Sequence, residues 1–355
     1  MTRLGKRVIA QIERSGPMPV ADYMTQCLLD PQHGYYTNVQ PFGARGDFVT
    51  APDVSQMFGE LLGLCLAQSW IDQGSPNPFI LAELGPGRGT LMSDLLRAVA
   101  LVPGFSAAAE IWLVEASAPL RSVQLEALAG YKVNWAETVN GIPDGPLFLI
   151  ANEFFDCLPI RQYRRTGKGW QEQMVGAVDG ELGFVLGRAL PEQAVPDWAA
   201  DLAEGSLIET SAASVAIAED IARRIAEHGG TAIIIDYGDW NAAGDTLQAV
   251  KAHRKIGPLE KPGQSDLTAH VNFAELAQAA QPHVSVSPIV PQGELLQRLG
   301  IRQRAEALSR HCDPQALKAH DAAFRRLTHP EEMGQLFKVI AFYPKDAAPP
   351  AGFQS

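Results

Sequence analysis

The stretch that most constrains the fold is residues 79–91, FILAELGPGRGTL, in which a short apolar run leads into three alternating glycines. Residues 79–84 have β-strand character, and apolar residues recur at helical spacing over residues 91–99. A strand, a glycine turn and a helix in this order open a doubly wound α/β sheet, whose ligands bind at the carboxyl ends of the strands. Because glycine has no Cβ, the backbone can turn sharply there and approach a bound nucleoside. The sequence therefore predicts an α/β fold with a nucleoside site at this turn.

The spacing of the glycines and the neighbouring charges favour one cofactor class over another. Gly85, Gly87 and Gly89 form G-x-G-x-G, whereas the dinucleotide fingerprint is G-x-G-x-x-G. Glu83 precedes the turn, where it would repel a pyrophosphate and attract the cationic amino and sulfonium groups of S-adenosylmethionine. Glu115 closes the next strand-like run and suits two ribose hydroxyls, a role common to both cofactor classes. These residues favour S-adenosylmethionine over a nicotinamide dinucleotide; a structural turn without a ligand is the remaining alternative.

Length, charge and cysteine content exclude several classes of protein. The chain has 355 residues, a suitable length for one elaborated α/β domain, and its net charge of -11 argues against non-specific nucleic-acid binding. Its four cysteines lie far apart, so we expect free thiols and no metal site. No apolar run reaches the length of a membrane span. Residues 1–20 lack the apolar segment of a secretory signal, which favours a bacterial cytoplasmic location, or the mitochondrial matrix if the source is eukaryotic.

Helix and turn signals divide the chain into three segments. Residues 1–78 are predicted as a helical segment with a cofactor-site loop, in which Asp47 and Thr50 could fold over the ligand or stabilise a turn. Residues 79–345 are predicted as the α/β core, with a β-hairpin insertion at about 160–190 and a helical insertion at about 250–330. The Ala- and Pro-rich residues 346–355 are predicted to be a flexible tail.

A second polar cluster follows the apolar run at residues 146–151. Asn152, Glu153 and Asp156 lie where α/β enzymes collect their chemistry, at the end of a buried strand. The structural alternative is a strand-end cap, or an ion pair of these carboxylates with Arg161 or Arg164.

With these residues in place, the chain resembles the MidA family of class I S-adenosylmethionine-dependent methyltransferases over nearly its whole length. The resemblance implies a seven-stranded methyltransferase sheet with an N-terminal helical segment and inserted elements. The mitochondrial members are complex I assembly factors that methylate a protein arginine, so the resemblance also implies a protein acceptor, with a complex I subunit suspected. The matching pieces, in chain order, are GP (16–17), YM (23–24), GYY (34–36), GDFVT (46–50), FGE (58–60), ELGPGRGT (83–90), VE (114–115), ANEFFDCLP (151–159), DYG (236–238), DLT (266–268) and FKV (337–339).

An arginine acceptor sets a specific chemical demand, because its guanidinium stays protonated at neutral pH. A carboxylate that pairs with the fork-shaped group would fix its plane. Glu153 is the first candidate for this carboxylate and Asp156 the second, with Asn152 orienting the pair. The better-known arginine methyltransferases carry two glutamates on one loop and a Thr-His-Trp loop, whereas here Glu153 is followed by Asp156, and His329 by Pro330. The acceptor site is therefore built differently, or the acceptor is not arginine.

Other functions are consistent with the same residues. The chain could be a docking or assembly protein with weak catalysis, since the fold and cofactor site do not by themselves require turnover. It could also methylate a small molecule, because the first half of the sheet binds cofactor and does not define the acceptor. His253 and His270 are further candidate bases, although a lone loop histidine is more often a surface residue.

Overall fold

The structure is a computed structural model that describes residues 1–38, 49–191, 195–241, 243–310 and 312–353. The helices are α1 (Arg3–Ser15), α2 (Val20–Leu29), α3 (Tyr35–Asn38), α4 (Ala51–Val54), α5 (Gln56–Asp72), α6 (Thr90–Val99), α7 (Phe105–Ala108), α8 (Ala118–Ala127), α9 (Ala212–His228), α10 (Phe273–Ala280), α11 (Gln292–Arg298), α12 (Ile301–Ser309) and α13 (Pro314–Thr328). The strands are β1 (Met18–Pro19), β2 (Phe79–Leu84), β3 (Ala109–Val114), β4 (Val133–Ala136), β5 (Leu147–Asn152), β6 (Arg161–Thr166), β7 (Gly169–Val178), β8 (Glu181–Ala189), β9 (Leu207–Thr210), β10 (Gly230–Asp239), β11 (Gln248–Lys251), β12 (Arg254–Ile256), β13 (Asp266–Thr268), β14 (Val271–Asn272), β15 (Ser285–Val286), β16 (Val290–Pro291) and β17 (Phe337–Tyr343).

The centre of the fold is a mixed sheet in the order β15-β17-β10-β5-β2-β3-β4. Strands β10, β5, β2, β3 and β4 are parallel, and β17 is antiparallel to β10. The two-residue strands β14 and β16 pair with β10 and β17, so the described part of this sheet has nine strands. The predicted α/β class is confirmed, and the carboxyl ends of β2, β3, β5 and β10 lie along one edge.

Residue alternation along β2 determines which side of the sheet each of its side chains faces. Phe79 and Leu81 belong to the apolar core that contains α5 and α6, whereas Ile80 and Ala82 belong to the core on the opposite side, with α9 and α10. Side chains two residues apart share a face. Glu83 therefore lies on the α5–α6 side, with its carboxylate at the end of the strand.

Helix α5 has a side-chain cap at its start and packs closely on α6. Ser55 caps it, since its Oγ accepts a hydrogen bond from Met57 N at 3.3 Å. A Cβ added to Gly59 would lie 2.8 Å from Asp94 Cβ, so glycine is needed for this close approach of the two helices. This packing supports α6, whose first turn follows the glycine turn.

Two smaller sheets extend the core. Strands β1, β6, β7, β8 and β9 form an antiparallel sheet within and around the predicted hairpin insertion, with turns at residues 167–168 and 179–180. Strands β11, β12 and β13 form a three-stranded antiparallel sheet. Helices α1 and α2 share an apolar cluster with β11 and β13, and this cluster holds the small sheet against the N-terminal segment.

The structure corrects two local predictions. The tail was predicted to be flexible from residue 346, but Phe353 is buried in the main core, and Arg298 donates a hydrogen bond to Gly352 O at 3.0 Å. The prediction failed because the partners of Phe353 lie on helices that are distant in sequence. The predicted cofactor-site loop of the N-terminal segment includes the single-turn helix α3 and leads into the single-turn helix α4; Asp47 lies outside the described residues.

In the described ranges, no helix is both long enough and apolar enough to cross a membrane.

Candidate active site

The turn between β2 and α6 is made of glycines in a left-handed conformation. Gly85, Gly87 and Gly89 have φ angles of 59°, 52° and 79°. Gly85 N donates to Val114 O at 3.0 Å, which fixes the turn to β3. A Cβ on Gly85 would lie 3.0 Å from the Phe154 ring, so the site is shaped for a bare backbone.

Glu83 is a buried carboxylate beside this turn. Its side chain is enclosed, and burial raises its pKa to about 8, with a further increase from Glu115 and a decrease from the Met92 backbone N–H. Among the described residues, nothing donates a hydrogen bond to Glu83 Oε2. A buried carboxylate oxygen without a donor is costly unless a ligand provides one. A cationic group at this position would restore the ionised form of Glu83.

Glu115 is held by a network that centres on Gln124. Ser117 N donates to Glu115 Oε1 at 2.7 Å, and Gln124 Nε2 donates to Glu115 Oε2 at 3.1 Å. The same Gln124 nitrogen donates to Gly87 O at 2.8 Å, and Gln124 Oε1 accepts from Trp135 Nε1 at 2.9 Å. Gln124 is completely buried. It therefore links the glycine turn to Glu115 through one fixed side chain.

The second predicted cluster lies at the end of β5. Glu153 has a φ of 52°, which is unusual for a residue other than glycine and often marks a functional site. Its Oε1 accepts hydrogen bonds from Ala51 N at 3.3 Å and Asn152 Nδ2 at 3.2 Å. Burial and repulsion from Asp156 raise the pKa of Glu153 to about 8. The Oδ1 of Asn152 accepts no hydrogen bond from a described residue.

Asp236, at the end of β10, fixes the loop that carries these residues. It is completely buried, and its Oδ2 accepts hydrogen bonds from Phe155 N at 3.0 Å and Asp156 N at 3.2 Å. Burial and the proximity of Asp156 and Glu153 raise the pKa of Asp236. Burial also raises the pKa of Asp156, while a hydrogen bond from Tyr237 lowers it. The carboxylates therefore form one coupled acidic cluster.

Two cavities meet at this edge of the sheet. The first, of about 340 Å³, is lined by Glu83 and by the acidic cluster, together with residues of the small sheet. The second, of about 530 Å³, is lined by Glu115 and by apolar residues of α2, including Leu28. Residues that line both are Tyr36, Gly85, Gly87 and Glu153. The glycine turn and Glu153 thus stand at the junction of two binding spaces.

A family of S-adenosyl-L-methionine-dependent methyltransferases matches residues 61–291. The chain belongs to this family. Its relatives include the mitochondrial protein arginine methyltransferase NDUFAF7 homolog of Drosophila melanogaster, which is 35% identical, with 96% of this chain and 85% of the relative covered. Human NDUFAF7, a mitochondrial protein arginine methyltransferase, is 32% identical, with coverage of 97% and 84%. A crystal structure from Burkholderia thailandensis bound to S-adenosyl-homocysteine has a TM-score of 0.84 and 30% identity, covering 99% of this chain and 94% of that one.

These relationships confirm that the chain is an S-adenosyl-L-methionine-dependent methyltransferase related to the NDUFAF7 enzymes, as its resemblance to the MidA family implies. The residues present suit this methyltransferase cofactor. A bare glycine turn lies beside Glu83, whose Oε2 accepts no hydrogen bond from a described residue, and Glu115 is held at the end of the next strand.

The structure brings most of the predicted methyltransferase site residues together. The first cavity is lined by Thr50 and by all three members of the second polar cluster. Gly89 lines neither cavity and instead precedes α6 as its N-cap residue. The two histidines that are candidate bases lie in different places. His270 lines the first cavity, whereas His253 is exposed in the β11–β12 turn.

The alternative ion pairs are not formed in this structure. Arg161 pairs instead with Glu172 at 3.5 Å, and Arg164 donates hydrogen bonds to Gln173 at 2.9 and 3.1 Å. The carboxylates of Glu153 and Asp156 therefore face the cavity without a cation from these strands.

Sequence reasoning gave no site role to Gln124 or Asp236. Asp236 could be recognised as a strand-end carboxylate, but its partners at residues 155–156 are about 80 positions away. Nothing in the sequence indicates a site role for Gln124, since an isolated glutamine on an ordinary helix usually lies at the surface.

Proposed function

We propose that this methyltransferase acts on an arginine of a protein acceptor, and that a respiratory complex I subunit is such an acceptor. The observation that carries the proposal is the position of Glu153 at the junction of the two cavities, within a cluster of buried carboxylates. The names of the relatives support arginine as the acceptor residue.

The charge of the first cavity supports a cationic acceptor. Its carboxylates are those of Asp53, Glu83, Glu153, Asp156 and Asp266. Asp53 is paired with Arg88 at 3.4 Å, but Glu83 and Glu153 have pKa values raised to about 8 because burial leaves their charge uncompensated. A guanidinium remains protonated and would stabilise the ionised carboxylates.

In this proposal the second cavity holds the nucleoside portion of the cofactor. Glu115 accepts hydrogen bonds from the ribose hydroxyls, and Glu83 attracts the cationic end. Gly85 and Gly87 allow the close approach of the backbone, while Gly89 shapes the start of α6. Thr50, at the rim of the first cavity, helps to cover the site, and we propose the same role for Asp47. S-adenosyl-L-methionine supplies an activated methyl group when bound.

On the acceptor side, Glu153 is the proposed guanidinium clamp. Its backbone is fixed because Glu153 N donates to Ile235 O at 3.0 Å, and its carboxylate is oriented by Ala51 N and Asn152 Nδ2. A fixed carboxylate can pair with two nitrogens of the guanidinium and hold its plane. Asp156 lies in the same cluster and is the proposed acceptor of the proton that the nitrogen releases on methylation.

The test combines Glu153→Gln with a matched control. Glu172→Gln makes the same change in β7, where the carboxylate pairs with Arg161 outside both cavities. Purified complex I subunits are incubated with S-adenosyl-L-methionine, and modified residues are assigned by mass spectrometry. We expect methylated arginine with the wild type and the control. Glu153→Gln should lower turnover about a hundredfold while its affinity for S-adenosyl-homocysteine stays within about threefold.

Four results would contradict the proposal. Full activity of Glu153→Gln would reject the clamp. Methylation of another residue type would reject arginine as the acceptor. Tight binding of a subunit with no methyl transfer in a single-turnover assay would favour a docking protein, and activity confined to small molecules would reject a protein acceptor.

A further inference from the structure

One face of the small β11–β13 sheet forms a wall of the first cavity. Val250 in the central strand β11 is opposite both Lys255 in β12 and Asp266 in β13. Gln248, two residues before Val250, is opposite Thr268. Because cross-strand partners project from the same face, these five side chains lie on one side of the sheet. All five line the first cavity, which confirms that this side faces it.

This wall carries opposite charges at its two edges. Asp266 is buried on β13, one edge strand of this sheet, and accepts a hydrogen bond from Tyr36 Oη at 2.9 Å. Lys255 is exposed on β12, the opposite edge strand, and within the described ranges it forms no ion pair. Neighbouring strands are about 4.8 Å apart, so the two backbones are separated by about 10 Å. The cavity is therefore acidic at its floor and basic at this part of its rim.

The pKa of His270 is affected by the positive charge of Lys255. His270 lines the cavity, and its pKa is lowered by partial burial and then by the charges of Lys255 and Lys338, against a weaker opposite effect of Asp239. Lys338 is partly buried and donates to Gln335 O at 2.6 Å. Lys255 is thus the exposed cation of this pair and the one that lines the cavity.

We infer that Lys255 binds a carboxylate of the acceptor protein, located about three residues from the arginine that enters the acidic floor. This inference rests on the proposed function. An extended chain advances about 3.3 Å per residue, so three residues span the distance from Asp266 to Lys255. A charged rim contact of this kind contributes mainly to specificity and to the rate of association. The enzyme would thereby prefer an arginine with an acidic neighbour.

The adjacent Arg254 provides a matched control. It is exposed and cationic and lies on the same edge strand, but it is opposite Lys251 and projects from the other face of the sheet. It does not line the first cavity. Lys255→Glu and Arg254→Glu therefore make the same change in net charge on opposite faces of one hairpin.

The experiment measures peptide binding, which does not depend on turnover. Fluorescently labelled peptides contain one arginine with Asp, Asn or Lys three positions away on either side. Anisotropy is measured with the full-length protein in the presence of S-adenosyl-homocysteine. We expect the wild type to bind the Asp peptide about fivefold more tightly than the Asn peptide. Lys255→Glu should lose this preference and bind the Lys peptide best, whereas Arg254→Glu should behave as the wild type.

Several outcomes would overturn the inference. Equal binding of the Asp and Asn peptides by the wild type would do so, and so would an equal loss of preference in Arg254→Glu. Weaker binding of S-adenosyl-homocysteine to Lys255→Glu would assign Lys255 to the cofactor instead. Lys255-dependent binding of free arginine as tight as that of the peptides would indicate a zwitterionic small molecule.

Failure of the proposed arginine acceptor would give a different binding result from failure of the Lys255 contact. Peptides with citrulline in place of arginine that bind as tightly as the arginine peptides would show that the acidic floor does not recognise the arginine charge, while the preference for Asp at the rim would remain measurable. If no peptide bound at millimolar concentration, both the inference and the proposed acceptor would be wrong.

Discussion

Replacing Gln124 by methionine nearly preserves the side-chain volume while removing three hydrogen bonds from the cofactor site. The lost partners are Gly87 O at 2.8 Å, Glu115 Oε2 at 3.1 Å and Trp135 Nε1 at 2.9 Å. A neutral hydrogen bond contributes about 1 kcal/mol and one to a charged group about 1.5–3 kcal/mol, so the loss of two neutral bonds and one to a carboxylate should lower the free energy of unfolding by about 3.5–5 kcal/mol. Because the Glu115 carboxylate loses the Gln124 side-chain donor and is left with the backbone N–H of Ser117, affinity for S-adenosyl-homocysteine should fall about tenfold.

The assay pairs urea denaturation with calorimetric titration of S-adenosyl-homocysteine. Gln68→Met is the control, since Gln68 lies on the surface of α5 and, among the described residues, its side chain donates only to Asp72, at 2.8 Å. It should change neither quantity measurably. If Gln124→Met is destabilised but binds the ligand within twofold of the wild type, Gln124 supports the fold alone. If its stability is unchanged, the hydrogen-bond reasoning is wrong.

Three further predictions follow from individual contacts. The pKa of Glu83 is raised from 4.5 to about 8 in the folded protein, so its contribution to stability is present below about pH 4.5 and is lost as pH rises through 8. Glu83 should account for about 2 kcal/mol of the stability that ligand-free protein loses between pH 6 and 8, so Glu83→Gln should reduce the loss in urea melts by this amount while the contribution of Glu153 remains. Gly85→Ala places a Cβ 3.0 Å from Phe154 at a φ of 59°, and it should weaken S-adenosyl-homocysteine binding at least tenfold by calorimetry. The control Gly104→Ala has a φ of 84°, but its Cβ would lie 3.6 Å from the nearest side chain, so it should leave the affinity unchanged. Phe353→Ala should lower the free energy of unfolding by about 3 kcal/mol, and an unchanged urea midpoint would restore the prediction of a flexible tail.

The parts of the site that sequence could predict are those encoded locally. The order of strand, glycine turn and helix lies within residues 79–91, and period-two alternation places Glu83 beside the turn. Glu115 and Glu153 could be predicted for the same reason, since each follows a short apolar run that is typical of a buried parallel strand. In a parallel sheet such strand ends meet at one edge, so their proximity follows from the fold class.

The remaining parts depend on contacts between distant residues. Gln124 acquires its role only when α8 packs so that one amide reaches both Gly87 and Glu115. Asp236 fixes a loop about 80 residues earlier in the chain, and Phe353 fills a space between helices that no local pattern describes. The wall that ends in Lys255 arises from strand register, and a one-residue shift would turn Lys255 away from the cavity.

A crystal structure of the protein with S-adenosyl-homocysteine would settle the location of the cofactor. We expect the ribose hydroxyls within hydrogen-bond distance of Glu115, the nucleoside in the second cavity and the sulfur at the junction beside Gly85 and Glu153. A ligand bound at another edge of the sheet, or a ribose held by residues other than Glu115, would contradict the proposed cofactor site.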